Sequence, residues 1–329
     1  MKKLLKFTLP LILTFLNLSA CGSQDILSPI ENTSEQEVNS SSVFGPKKLQ
    51  IDVYTTYGTE QSVSIKGRVL EYKKHSVSSV DDSSLMNLYK SWLALESDEV
   101  KDVNVEIEFN GKVLKAKSDK EGLFEIKEPS PVKTGYVDIS AVLGPVQKKK
   151  YVADQAFGTL TVQPKNDGAL GIISDIDDTI QKSYITDKIK MIKTLFLGNE
   201  YTIKVVPGVS EIYQVLDKKS DGVADGDVYY VSGSPINLFL KISRFMALHK
   251  FPKGSIELKN IGTDSLTQQI GYKLGRIRKI FDTYPNKKFL LFGDSGEKDP
   301  EVYRQIAKDY PSRVIATYIN NVTSDSKTS

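Results

Sequence analysis

The alternation of apolar and polar residues changes rhythm once along this chain. From residue 47 to about 165 it has a period of two, as expected of strands with one buried face. "VNVEIEF" (103–109) and "KVLKAKSD" (112–119) flank Asn110-Gly111, a dipeptide suited to the positive φ angles of a tight hairpin turn. "SDKEGLFEI" turns at Gly122 into a further strand, and "YVDISAVL" (136–143) and "FGTLTVQ" (157–163) continue the pattern. One helix interrupts it: Leu85, Leu88, Tyr89, Trp92 and Leu93 recur at helical spacing, with Asp82 or Ser83 as the cap. Such a stripe is expected to pack into a core. The segment therefore predicts a small β-sandwich bearing one helix.

After Pro164 strands and helices alternate. Apolar strands "LGIIS" (170–174), "DVYYVS" (227–232), "KFLLFG" (288–293) and "VIATYI" (314–319) are separated by helical patterns near 208–218, 235–249, 266–282 and 299–309. Short, continuously apolar strands between helices predict an α/β fold, a parallel sheet covered by helices on both faces. Ligands of such sheets sit at the carboxyl ends of the strands.

The ends of the chain follow neither rhythm. Residues 1–20 combine Lys2, Lys3 and Lys6 with an apolar run and small residues before Cys21, the layout of an export signal. "LSAC" resembles a bacterial lipobox, which makes Cys21 the expected lipidated first residue of the mature chain. Residues 21–46 read as that residue and a flexible tether with a reach of about 25–30 Å. The expected plan is then a leader (1–20), a tether (21–46), a β-sandwich (47–165), an α/β catalytic domain (166–322) and a polar tail (323–329). The expected location is a bacterial cell envelope, on the extracytoplasmic side, with attachment to the membrane by lipid.

Cys21 is the only cysteine, which leaves no intramolecular disulfide and no multi-cysteine metal site. Three of the 44 basic residues lie in the leader, so 41 remain against 41 acidic ones. A balanced chain with no basic tract gives no footing for a nucleic-acid partner.

The chemistry concentrates in "IISDIDDTIQKS" (172–183), with Asp175, Asp177, Asp178 and Thr179 behind a buried strand. The next strands end in Ser232 and in Asp294, with Asp299 five positions later. A parallel sheet would gather these ends into one crevice. So many carboxylates in a small volume repel one another unless a cation neutralises them, and a hard divalent ion such as Mg²⁺ is the simplest remedy. "GDSG" (293–296) resembles the surroundings of a serine-protease nucleophile, but the only histidines, His75 and His249, are not placed to serve it as a base. "DGVADGD" (221–227) departs from a calcium loop at Val223 and Ser232.

"DIDDT", "VSGS", Lys273 and "GDSGEKD" resemble, in order and spacing, the four motifs of the haloacid-dehalogenase-type phosphatases. "SDIDDTIQKS", "VVPGVSEIYQVL", "YVSGSPINLF" and "FGDSGEKDPEVY" are similar, more narrowly, to the catalytic domain of actin-patch-associated phosphatidate phosphatases and their bacterial relatives. The resemblance covers about residues 168–320 and implies a haloacid-dehalogenase-like sheet. It implies Asp175 as nucleophile, Asp177 as general acid and base, Ser232 on a phosphoryl oxygen and Lys273 as charge-balancing cation. It further implies that Asp175, the backbone carbonyl of Asp177 and Asp294 hold Mg²⁺, with Asp299 in support and Thr179 orienting the nucleophile loop. Asp178, the variable position of the motif, is expected only to cap the following segment.

The implied reaction is hydrolysis of phosphatidate to diacylglycerol and phosphate at a membrane surface. Two alternatives stay open: a soluble phosphomonoester as substrate, or a surface lipoprotein whose sandwich binds a partner that the sequence does not name. Between the first two motifs, residues 184–206 carry Leu195, Phe196 and Leu197 among lysines, an expected lid over the site in contact with lipid.

Overall fold

The computed structural model describes residues 46–73, 78–95, 98–129, 132–183, 198–219, 226–260, 263–264 and 269–322. Cys21, the leader, the tether, His75, Leu195–Leu197 and the 323–329 tail lie outside the described residues. Residues 48–329 group into one compact unit that contains both sheets.

The first sheet has nine strands: β1 (Lys47–Val53), β2 (Thr56–Thr59), β3 (Ser62–Glu71), β4 (Asn104–Phe109), β5 (Lys112–Lys117), β6 (Leu123–Glu128), β7 (Gly135–Leu143), β8 (Tyr151–Ala153) and β9 (Ala156–Gln163). Their order is β5-β4-β7-β9-β2-β3-β1-β8, with β6 paired to β3. Asn110 and Gly111 take φ of 49° and 72° at the β4–β5 turn, as their chemistry predicts. The alternation suggested two facing sheets; parallel pairing of β2 with β9 instead joins the strands into one continuous sheet. Side chains from strands far apart in that order, such as Ile65, Ile107 and Phe124, share one apolar cluster, so the sheet curls over a common core.

Helix α1 (Ser84–Leu95) is capped by Ser83, whose Oγ accepts the Met86 N–H at 3.2 Å. The expected core packing of its stripe forms only in part, with Leu88 half-buried. Leu85 is 70% exposed and Tyr89 47%, and Leu93 alone of the three is buried. The helix docks by its other face, where Asn87 and Ser91 are buried and Asn87 Oδ1 accepts a hydrogen bond from Asn199.

The second sheet is wholly parallel, in the order β12-β11-β10-β13-β14, built from β10 (Leu170–Ser174), β11 (Val228–Pro235), β12 (Ser255–Lys259), β13 (Lys288–Asp294) and β14 (Val314–Asn320). The short "SIELK" strand β12 was not anticipated. The helices between are α2 (Val209–Lys219), α3 (Phe239–Leu248, entered through a short 3₁₀ turn), α4 (Gln269–Thr283) and α5 (Asp299–Asp309). Adjacent strand residues face opposite ways and build two cores. Ile172, Val228 and Tyr230 pack with α2 and α3 residues such as Tyr213 and Phe245. Ile173, Tyr229 and Val231 pack with α4 and α5 residues such as Ile277 and Ile306.

The first sheet meets the α/β half through Tyr54, which follows β1, and Tyr57 in β2. Tyr54 packs edge-on against Phe239 at 4.7 Å, and Tyr57 against Tyr229 at 5.5 Å. Among the described residues no helix is long and apolar enough to cross a membrane.

Candidate active site

β10 is central. The chain leaves it for β11 and β12 on one side and returns to β13 and β14 on the other, so the carboxyl end of β10 is the topological switch point where a ligand crevice forms. The residues just beyond that end are held rigidly. Asp175 N–H donates to the Phe292 carbonyl at 2.9 Å, and Ser174 Oγ donates to the Asp175 carbonyl at 2.6 Å. Ile176 and Ile180 are fully buried and anchor the turn that follows. Asp178 takes a left-handed φ of 53°, its Oδ1 accepts the Ser183 N–H, and its carbonyl accepts the Asn320 amide. These are the contacts of a turn residue.

Three acidic side chains surround one lysine, and a fourth, Asp294, adjoins two of them. Carboxylate oxygens of Asp175, Asp294 and Asp299 lie within 4.8 Å of one another, all buried. Lys273 reaches them from α4 and donates to Asp175 at 2.9 Å, Asp299 at 2.6 Å and Glu297 at 2.7 Å. Burial holds the Asp175 carboxyl well above the usual carboxylate range; Lys273 pulls it down, while Asp299, Glu297 and Asp177 push it further up. Burial works against the charge on Lys273, but the three surrounding carboxylates outweigh it and keep the ammonium well above its ordinary range. Thr179 Oγ1 donates to Asp175 Oδ2 at 3.2 Å and so orients it.

Asp294 Oδ1 accepts the N–H groups of Gly296 and Glu297 at 2.6 and 3.0 Å, whereas its Oδ2 is buried with no hydrogen-bond partner. An orphaned buried carboxylate oxygen beside two more carboxylates is a donor set that suits a hard cation. Asp299 has both oxygens engaged, one by Lys273 and the other by the Asp294 N–H at 3.2 Å. A Cβ at position 293 would lie 2.5 Å from Asp299 Oδ2, so only glycine fits there.

Asp177 belongs to a different network. Its two oxygens accept four side-chain donors: Gln181 at 2.9 Å and Ser183 at 2.6 Å on one, Ser232 at 3.1 Å and Ser234 at 2.6 Å on the other. The seven side chains singled out from sequence, Asp175, Asp177, Thr179, Ser232, Lys273, Asp294 and Asp299, are thus brought together. Gln181, Ser183, Ser234, Gln269 and Glu297 were missed. Ser234 and Glu297 lie inside quoted motifs, but a strand-end pattern does not say which way a hydroxyl or carboxylate turns. His249 lies apart, its ring tilted against that of Phe245 at 4.6 Å at the end of α3.

Residues 170–321 match the family described as "Phosphatidate phosphatase APP1, catalytic domain". A stretch of 155 residues, 46% of this chain and 25% of the relative, is 37% identical to phosphatidate phosphatase APP1 of Saccharomyces cerevisiae. An uncharacterized protein of Schizosaccharomyces pombe is 27% identical over 216 residues, 62% of this chain and 34% of that one. The chain therefore spans only about a quarter to a third of the length of these relatives. The family match and the yeast relative support a phosphatase enzyme.

Proposed function

We propose that this chain is a metal-dependent phosphatase of the haloacid-dehalogenase type that hydrolyses phosphatidate to diacylglycerol and phosphate at a membrane surface. The observation that carries the reading is the placement of Asp175 at the switch point between Lys273 and the Asp294–Asp299 pair, with Asp177 held separately by four donors. The activity for which the yeast relative is named supports phosphatidate as the substrate.

Asp175, Asp294 and Asp299, together with the Asp177 carbonyl, would hold Mg²⁺, which when bound neutralises carboxylate and phosphoryl charge. The reacting bonds belong to the chain. An Asp175 oxygen forms a bond to phosphorus as the bond from phosphorus to the glycerol oxygen breaks, and Asp177 gives that oxygen its proton. Asp177 then takes a proton from water as the water attacks the aspartyl-phosphate, which frees Asp175 and releases phosphate. Lys273 and Ser232 stabilise charge on the phosphoryl oxygens. In this reading lipidated Cys21 tethers the enzyme to the outside face of a bacterial membrane, and residues 184–206 contact lipid.

The test is phosphate release from phosphatidate in mixed micelles beside a soluble phosphomonoester, with and without chelator, against an Asp175→Asn control. Chelator-sensitive release from phosphatidate that vanishes in the variant is expected. Release from the soluble ester alone would keep the chemistry and discard the lipid.

A further inference from the structure

An ammonium group has three N–H donors, and all three on Lys273 are taken by carboxylates: Asp175, Asp299 and Glu297. The function proposed above requires Lys273 to meet a phosphoryl oxygen, so one of the three must yield. They are not equivalent. Asp175 and Asp299 have no exposed side-chain surface, and both carry a second hydrogen bond from the surrounding fold, from Thr179 and from the Asp294 N–H. Glu297 sits in the turn between β13 and α5, and 12% of its side chain is exposed.

The turn also directs Glu297 across the crevice toward the serine side. Its Oε2 accepts Gln269 Nε2 at 2.6 Å, and that amide nitrogen is 3.2 Å from where a Cβ on Gly233 would stand, between Ser232 and Ser234. The Glu297–Gln269 pair therefore spans from the Lys273 side of the crevice to the serine side. Gln269 and Lys273 donate to the same oxygen, Oε2, so a carboxylate that swings away from the lysine toward Gln269 keeps one of its two donors.

We propose that Glu297 occupies the phosphoryl group's place on Lys273 and is displaced by it, which makes its carboxylate a built-in competitor that sets affinity for phosphomonoester dianions and for released phosphate. The inference rests on the phosphatase reading for the role of Lys273. It assigns to Glu297 a specificity-determining function: an anion enters only if it outcompetes a carboxylate already hydrogen-bonded to the lysine.

Titration of inorganic phosphate into the full chain in the presence of Mg²⁺, followed by calorimetry, tests it. Glu297→Gln removes the competing charge and is expected to tighten phosphate binding about tenfold. Glu297→Asp keeps the charge but is one methylene shorter and falls short of Lys273; it is expected to tighten binding about threefold. Thermal unfolding of each variant checks that it folds. Unchanged or weaker binding in Glu297→Gln overturns the proposal. So does an Asp variant that binds like the wild type, because general charge repulsion would then explain the whole effect. Absence of phosphate binding in wild type and both variants also overturns it. Hydrolysis by the wild type without tightening in the variants retires this role for Glu297 and leaves the phosphatase reading standing. Tightening without hydrolysis by the wild type does the reverse.

Discussion

Ser234 donates its hydroxyl to Asp177 Oδ2 at 2.6 Å, across 57 positions of sequence. The contact exists because β11 lies directly beside β10, with Ser174 in register with Tyr230. Ser232 reaches the same oxygen at a longer 3.1 Å, and its own Oγ accepts the Ser234 N–H. In the proposed mechanism the two serines would divide the work: Ser234 and Ser183, with the shorter bonds, would hold Asp177, and Ser232, with the longer one, would turn to a phosphoryl oxygen.

That division has different kinetic signatures. Ser234→Ala removes a short hydrogen bond to a charged group and is expected to lower kcat about tenfold with KM little changed. Ser232→Ala is expected to raise KM as well. Steady-state kinetics on both variants separates the roles, and a Ser234→Ala variant with altered KM alone would contradict the assignment.

Asp175→Asn should abolish turnover, a loss of at least about a thousandfold, because the amide cannot form the aspartyl-phosphate. The same change removes a buried carboxylate whose charge burial disfavours. In chelator the variant is therefore expected to unfold at the same or a higher temperature than the wild type. With one carboxylate of the cation site gone, added Mg²⁺ should raise its midpoint less than that of the wild type. A lower midpoint in chelator would show that the Lys273–Asp175 pair stabilises the fold more than burial costs it.

The pH dependence of stability follows from Asp294. Burial, with Asp299 and Glu297, pushes its carboxyl from an ordinary 3.8 up to about 7, against the pull of the Gly296 and Glu297 N–H groups. The folded-state value lies above the unfolded one, so its contribution to stability is complete below the unfolded value and is lost as pH rises through about 7. In chelator the unfolding midpoint is expected to fall between about pH 5 and about pH 8. Mg²⁺ should raise it more at the higher pH, where the carboxylate is ionised, and Asp294→Asn should flatten the difference. Equal Mg²⁺ shifts at both pH values would count against Asp294 as a ligand.

Much of this architecture is legible in the sequence alone. "LGIIS" and "DVYYVS" read as buried strands because both faces of a parallel sheet are covered, and the helices between them fell within a few residues of their patterns. What escaped shares one cause. Leu85 and Tyr89 announce a helix, but spacing cannot say whether a partner covers that face, and here the docking side is polar. "SIELK" is as short as "LGIIS" but too polar to announce β12, whose burial comes from its neighbours. Ser183, Ser234 and Glu297 join the site through side-chain directions that only the assembled sheet decides.

Two lysines of the same kind stand at opposite ends of the parallel sheet. Lys273 and Lys287 are both buried and both meet more than one carboxylate, and nothing in the sequence around Lys287 sets it apart. Position in the fold does. Lys273 faces the carboxyl ends of the strands, where Asp175 and Asp294 stand. Lys287 precedes β13 at the opposite end and pairs there with Asp227, just before β11, and with Asp167, just before β10. Lys287 therefore ties three loops together below the sheet and has no path to the reaction. Lys287→Met should leave Asp227 buried beside an apolar side chain and cost about 3–5 kcal/mol in urea unfolding, while the protein that remains folded keeps its kcat. Lys273→Met also strands buried carboxylates, yet its defining loss should be kcat. If Lys287→Met lowered kcat of the folded protein as far as Lys273→Met does, the two ends of the sheet would have to be coupled, and the separation of catalytic from structural lysine drawn from their positions would be wrong.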